Sequence, residues 1–287
     1  MAENVVPQNM ALVERTRSGK VRVTPSHGRS HAVQVTLIVL AALTVLCFAT
    51  MNYGRVNLAT AFTQTMHDFG TMMLEPGLAG HFTWSSVAHS MMVTILLSIL
   101  TTIISAVLSF FLGLAAARNL TNSAVSTVVK AFMSIIRAIP TILWVLVFTV
   151  AIGLGPEAAV IGISFHSIAY LTKSYSESFE QVDEGVIEAL RASGAGFWQT
   201  VFQALCPETV SQMLSWTFIR FEINFTNAVA VGAFAGAGGI GYQLFQAGSF
   251  YYNLHEVGVI VYCCLAVAFV LEFVSIQLRR RFLVNAD

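Results

Sequence analysis

The sequence predicts an all-α polytopic membrane protein with six transmembrane helices and both termini in the cytoplasm. Three observations predict it. Of the 287 residues, 56% are hydrophobic and 10% charged, against about 25% charged in an ordinary soluble domain, and mean hydropathy is +0.72. Six apolar runs, roughly 32–51, 87–117, 130–152, 158–176, 209–235 and 256–278, are near or above the ~20 residues that cross a hydrocarbon core as a helix. None alternates as a barrel strand does. Finally, thirteen of the fifteen Lys and Arg residues fall on one side of the alternation these runs impose, which the positive-inside rule makes the cytoplasmic side.

Taken in order, residues 1–31 read as a basic cytoplasmic tail carrying Arg15, Arg17, Lys20, Arg22 and Arg29, suited to weak contact with an anionic lipid leaflet. The run at 32–51 reads as a retained helix: it is too long for a signal h-region and lacks a small-residue cleavage site after it. Residues 52–86 form an outside segment with a turn-like "LEPGLAG", after which Thr83, Ser85 or Ser86 is placed to cap the second helix. In the third run, "RAIPTILW", Pro140 removes a backbone donor and disfavours helix at the residue before it. Either a short helix ends near Ala138 or a long one kinks there, and both leave Arg137 near the inner boundary. The connection "GLGPE" at Gly153 to Glu157 is short enough to make spans three and four an antiparallel hairpin. The largest inside loop is 177–208. Cys47, Cys206, Cys263 and Cys264 lie in or beside spans without metal spacing and read as small packing residues.

The segment "GAGGIG", with Gly236, Gly238, Gly239 and Gly241, matches G-x-G-x-x-G, and Glu256 lies twenty residues after Gly236. That pattern binds dinucleotides only where a strand feeds a helix, and here an apolar run too long for a strand precedes it. The glycines instead read as a flexible break after span five, permitting close approach or re-entry. The chain has no G-x-x-x-x-G-K-[S/T] for a nucleotide phosphate and no recognisable nucleophile arrangement. It is not expected to be an enzyme, nor to hold a cofactor, a metal or nucleic acid.

Span five contains "WTFIRFEINFTNAVAVG", and a charge at a helix centre costs about 2.5–3.5 kcal/mol on insertion scales. At 100° per residue Thr217, Arg220, Asn224 and Asn227 share one face, while Glu222 points nearly opposite, so the two charges cannot neutralise each other within the helix. Two readings stand: a polar stripe lining a route for an anion, or an Arg220 that snorkels to the inner headgroups with Glu222 paired to a neighbouring helix. His166, alone in span four, reads as a hydrogen-bonded packing residue or as part of the same route. The stretch "EALRASGAGFWQTVFQALCP", Glu188 to Pro207, is polar and punctuated between greasy runs. Its glycines, Gly194 and Gly196, make a helix–glycine–helix elbow, and Pro207 opens span five, where proline is tolerated in a first turn.

These residues resemble a known pattern. Membrane subunits of binding-protein-dependent ABC importers carry Glu-Ala-Ala, three residues, Gly, nine residues, Ile-x-Leu-Pro. This chain keeps Glu188, Ala189, Gly194 and Pro207 at that spacing and departs at Leu190, Ala204 and Cys206. "RAIP" and "GAGGIG" also look like segments of that superfamily, and "IRAIPTILW", "FHSIAYLTK" and "IRFEINF" look most like its phosphonate branch. Thr226 stands where that branch usually has an arginine. The resemblance covers roughly 85–282 and implies a type I importer permease fold in a bacterial plasma membrane, with 87–282 as the core domain. It implies a second copy of this chain, two cytoplasmic ATPase subunits that hold ATP and Mg, and a periplasmic or lipid-anchored solute-binding protein. By the same resemblance Glu188, Ala189, Arg191, Gly194 and Pro207 couple to the ATPase. Arg220, Asn224, Asn227 and His166 would face a phosphonate or related phosphorus oxyanion, and Pro140 with the four glycines of "GAGGIG" would serve structure or gating. An importer for phosphite, phosphate or an amino acid, and a stand-alone channel or carrier, are the alternatives.

Overall fold

The computed structural model describes residues 27–51, 57–78 and 80–284, and the predicted tail lies almost wholly outside them. Two units, Met1–Gln64 and Thr65–Asp287, are distinguished. The first contains α1 (His27–Thr50), whose side chains from 31 to 50 are exposed throughout. At 1.5 Å per residue its 24 residues reach about 36 Å, enough to span a membrane. α2 (Leu58–Leu74) begins in this unit and runs into the second. The outside segment read at 52–86 contains this helix, which the sequence reading passed over: Asn57 Oδ1 accepts from Ala59 N at 3.1 Å at its start.

Among the described residues the regular elements of the second unit are all helices. α3 (Trp84–Ala116) is 33 residues long and begins with a capping box, Thr83 Oγ1 accepting from Ser86 N at 3.2 Å and Ser86 Oγ from Thr83 N at 3.3 Å. Its buried face is a row of small residues, including Ser98, Thr102, Ser105, Ser109 and Gly113. Small residues let helix backbones approach where lipid removes the hydrophobic drive for association. The partner is α6 (Pro156–Phe179): Ser109 Oγ donates to Ile168 O at 2.9 Å, and a Cβ added at Gly113 would lie 3.1 Å from Tyr175 Cβ.

The third apolar run breaks. α4 (Ser123–Ala138) and α5 (Thr141–Ile152) meet at 89°. Ile139, the residue before Pro140, is extended at φ −94° and ψ 126°, the restriction proline imposes on its predecessor. The first of the two alternatives left by the sequence therefore holds, and Trp144 Nε1 donates to the terminal Ile136 carbonyl at 3.0 Å. α5 then turns through Gly153, at φ +99°, into α6, and Gly162 brings the two together: a Cβ there would come within 2.6 Å of Val145 Cα.

Beyond α6 come α7 (Glu184–Ala192), the single turn α8 (Phe197–Thr200), a π-helical turn at Val201–Leu205, and α9 (Cys206–Phe234). α10 (Gly239–Phe245) folds back at 47° to the helix before it, and α11 (Leu254–Val284) ends the described chain. Among the described residues three helices are long and apolar enough to cross a membrane by composition, or five if each bent pair is one span. The fourth predicted span, α6, is outside that count. Its 24 residues include Glu157, Lys173, Glu177 and many serines, yet fourteen are buried, and a helix enclosed by protein does not need a lipid-compatible surface.

Candidate functional site

α9 carries one Arg or Lys, Arg220, and the helices around it determine what that charge meets. Arg220 is 2% exposed and lies against α6, so it does not snorkel. Its Nε donates to Ser167 Oγ at 2.9 Å, and its Nη2 lies 3.0 Å from His166 Nδ1. A guanidinium has no acceptor, so Nδ1 must accept. The Arg220 guanidinium carbon is 5.2 Å from the Tyr170 ring centroid, a cation–π distance. One turn along α9, Asn224 is fully buried: its Oδ1 lies 2.8 Å from Ser167 Oγ and its Nδ2 donates to Thr102 Oγ1 on α3 at 2.9 Å. Thr217, one turn the other way, meets Tyr175 with 2.5 Å between the hydroxyl oxygens.

The shared face of Thr217, Arg220 and Asn224 is thus a seam joining α9 to α6 and, through Thr102, to α3. Asn227, the fourth member of the stripe, is half-buried. Glu222 Oε1 is buried without a hydrogen-bond partner; no ion pair with a neighbouring helix is found for it among the described residues. Ser167, Tyr170 and Thr102 complete the seam and were not singled out beforehand. Hydroxyls scattered in an apolar run are the signal for them, but their partners lie 53 and 122 residues away.

The glycine break above α9 is a close packing. A Cβ at Gly241 would stand 1.8 Å from Val229 O, and one at Gly239 would meet Thr94 Oγ1 at 2.4 Å. Gly236, Gly238 and Gly239 have φ of +61°, +71° and +73°. Thr94 Oγ1 accepts from Ile240 N at 2.9 Å, which fixes α10 to α3. Glu256, set apart in the sequence only as part of a rejected motif, is fully buried. Its Oε1 accepts from His81 N at 3.0 Å and Phe82 N at 3.3 Å, and its Oε2 lies 3.1 Å from His81 Nδ1. The carboxylate fastens the chain entering α3 to α11.

The elbow is built by local rules. Asp183 Oδ1 caps α7 by accepting from Gly185 N at 2.8 Å. At the other end Ala195 N donates to Leu190 O and Gly194 N to Arg191 O, both at 3.0 Å. With Gly194 at φ +86° this is a Schellman closure. Ile187, 2% exposed, and half-buried Leu190 face inward, whereas Glu188, Ala189, Arg191 and Gly194 are exposed. Leu190, where the resembled pattern has alanine, packs against this chain's own core. Arg191 Nη2 donates to Asn119 O at 3.2 Å, tying the elbow to the end of α3. Pro207 stands in the first turn of α9, as expected, but that end is not free, because the helix runs on from Phe197. Proline removes a donor and crowds the carbonyl four residues back. The wider π turn before it, in which Cys206 N reaches Val201 O, accommodates both effects.

In fold the chain is similar to solved ABC importers. It matches the MetNI methionine ABC transporter in inward-facing conformations with TM-score 0.64 at 21% identity, covering 71% of this chain and 99% of that one. It matches a bacterial ABC transporter involved in the import of alginate with TM-score 0.60 at 11% identity, covering 88% and 98%. The fold is therefore that of an ABC importer membrane subunit. Residues 109–282 match the binding-protein-dependent transport system inner membrane component family, and the chain belongs to it; this is a family of transport components, not of enzymes. Over 240 residues the chain is 29% identical to the phosphate-import permease protein PhnE of Mycolicibacterium smegmatis, covering 82% of this chain and 44% of the relative. Over 210 residues it is 29% identical to the phosphite transport system permease protein PtxC of Stutzerimonas stutzeri, covering 73% and 74%. The chain thus spans less than half of the first relative's length and about three-quarters of the second's.

Proposed function

We propose that the chain is the membrane permease of an ATP-driven importer for phosphonate or a related phosphorus oxyanion. It works in a bacterial plasma membrane as a pair of copies, with both termini cytoplasmic, two cytoplasmic ATPase subunits and an external solute-binding protein. The observation that carries this reading is the match to the phosphite permease over about three-quarters of both chains. Arg220 supports it: a fixed cation deep in a span, where such residues mark ion and substrate routes. With Asn224, Asn227 and His166 it forms the polar side of the pathway, reached by the oxyanion as the seam between α6 and α9 parts.

The exposed face of α7, with Glu188, Ala189 and Arg191 and its Gly194 turn, is the surface that a cleft of the ATPase receives. ATP and Mg reside in that partner. Closure of the ATPase pair moves the elbow, and the unbroken helix from Phe197 to Phe234 transmits the motion past Pro207 to Arg220. Pro140 and the glycines of 236–241 are the places where the spans change direction.

The test is gentle extraction of the tagged chain, mass spectrometry of what stays bound, then uptake by reconstituted vesicles. The expected result is a stoichiometric partner bearing a nucleotide-binding motif, with phosphonate or phosphite uptake that requires ATP inside. Transport by the chain alone in liposomes, with no ATPase recovered under cross-linking, would replace this reading with a channel or carrier.

A further inference from the structure

Where α4 and α6 converge beside the end of α3, their side chains enclose a cavity of about 260 Å³, separate from both the Arg220 seam and the elbow. Arg118, Lys130, Arg137 and Lys173 line it, with Glu177 and Glu180 as the only acids. Both acids are already engaged. Lys130 Nζ lies 2.6 Å from Glu180 Oε1, which also accepts from Arg118 N at 2.8 Å, and Lys173 Nζ lies 3.3 Å from Glu177 Oε1. Among the described residues neither guanidinium has a carboxylate partner. Arg137 Nη2 donates to Ser134 Oγ at 3.3 Å, and its Nε is buried with no partner. On the facing helix Thr172 is 1% exposed and its Oγ1 is buried with no hydrogen bond.

Buried polar groups are almost always satisfied. A guanidinium Nε can only donate and a threonine hydroxyl can donate, so the group missing between them is an acceptor. Four cations against two acids make that acceptor an anion. We infer that this cavity binds a tetrahedral oxyanion of the phosphate class. Arg118 and Arg137 meet it with charge-assisted donors, Thr172 adds its hydroxyl, and Lys130 and Lys173 supply field without leaving their carboxylates. Nothing in this assignment depends on which solute the chain transports. The positive-inside count puts the cavity at the inner membrane face, where the same chemistry comes from free cytoplasmic phosphate or from the phosphate of an anionic lipid headgroup.

The experiment uses the full chain in an uncharged detergent. Inorganic phosphate is titrated calorimetrically, and native mass spectrometry follows retention of added phosphatidylglycerol. Phosphate binding weakened roughly tenfold in Arg137→Gln and Thr172→Val identifies the site and a free-anion source. Phosphatidylglycerol retained by the parent chain and lost from the same variants identifies the site and a headgroup source. Arg118→Gln, at an exposed position, gives the same reading without risk to the fold. Phosphate and lipid occupancy equal in the parent chain and in folded Arg118→Gln and Arg137→Gln overturns the inference.

Discussion

The seam around Arg220 and the elbow at 183–196 are both polar structures in an apolar chain, and they are held by opposite means. In the seam no bond that matters is local: Arg220 reaches Ser167 and His166, and Asn224 reaches Thr102. In the elbow nearly every bond is local, from the Asp183 cap to the Gly194 closure; Arg191 reaches Asn119 O, while Glu188 and Ala189 face outward. A network of long-range bonds is stable only when the whole bundle is assembled, and then it fixes where helices sit. A locally capped elbow keeps its shape with little help and can present side chains to something else.

Two glycines break the comparison most sharply. Gly241→Ala places a Cβ 1.8 Å from Val229 O, an overpacking expected to cost about 3 kcal/mol or more; the monodisperse peak in size-exclusion chromatography should collapse. Gly194 has open space around it, so Gly194→Val meets only the left-handed backbone penalty of about 1–2 kcal/mol. That variant should still elute as folded protein while ATP hydrolysis no longer drives uptake. Equal damage from the two would mean the elbow is as deeply built in as the packing of α10 on α9.

Arg220→Ala comes next, leaving Ser167 and His166 with a lost partner, at about 1–3 kcal/mol and with uptake reduced at least roughly tenfold. Arg220→Lys keeps charge but not the fork that serves both partners, so uptake should stay well below normal. Unchanged uptake in either removes Arg220 from the pathway. Asp183→Ala should lose about 1 kcal/mol, read as a small fall in thermal midpoint. Glu188→Ala, at an exposed position, should stay within about 0.5 kcal/mol of the parent and still release the ATPase on purification. Retention of the ATPase there would detach the elbow from its proposed partner.

The sequence made the seam half visible. Helical spacing put Thr217, Arg220 and Asn224 on one face, but a period says nothing of which helix that face meets, so Ser167, Tyr170 and Thr102 emerged only in three dimensions. Pro140 and Ile139 were readable because proline acts on its neighbour; the 89° between α4 and α5 was not, because it depends on what α5 packs against. α2 was missed although its signals were present. Asn57 is a cap, and Leu58, Phe62, Met66, Phe69 and Met73 recur at helical intervals, diluted by threonine, glutamine and histidine below the level that marks a membrane span. Glu256 drew notice only through a nucleotide motif that was rejected, since only packing shows it bound to the chain at 81 and 82.

The π turn at 201–205 has one more consequence. It holds an extra residue, so everything beyond it is out of phase by about 100° with an unbroken α-helix. The compass bearing of Arg220 relative to Trp198 is thus set by five residues, of which Phe202 stacks on the Trp198 ring. Removing one of them would leave every side chain of the elbow and the seam in place by name, yet swing one about a third of the way round with respect to the other. What that turn stores is an angle.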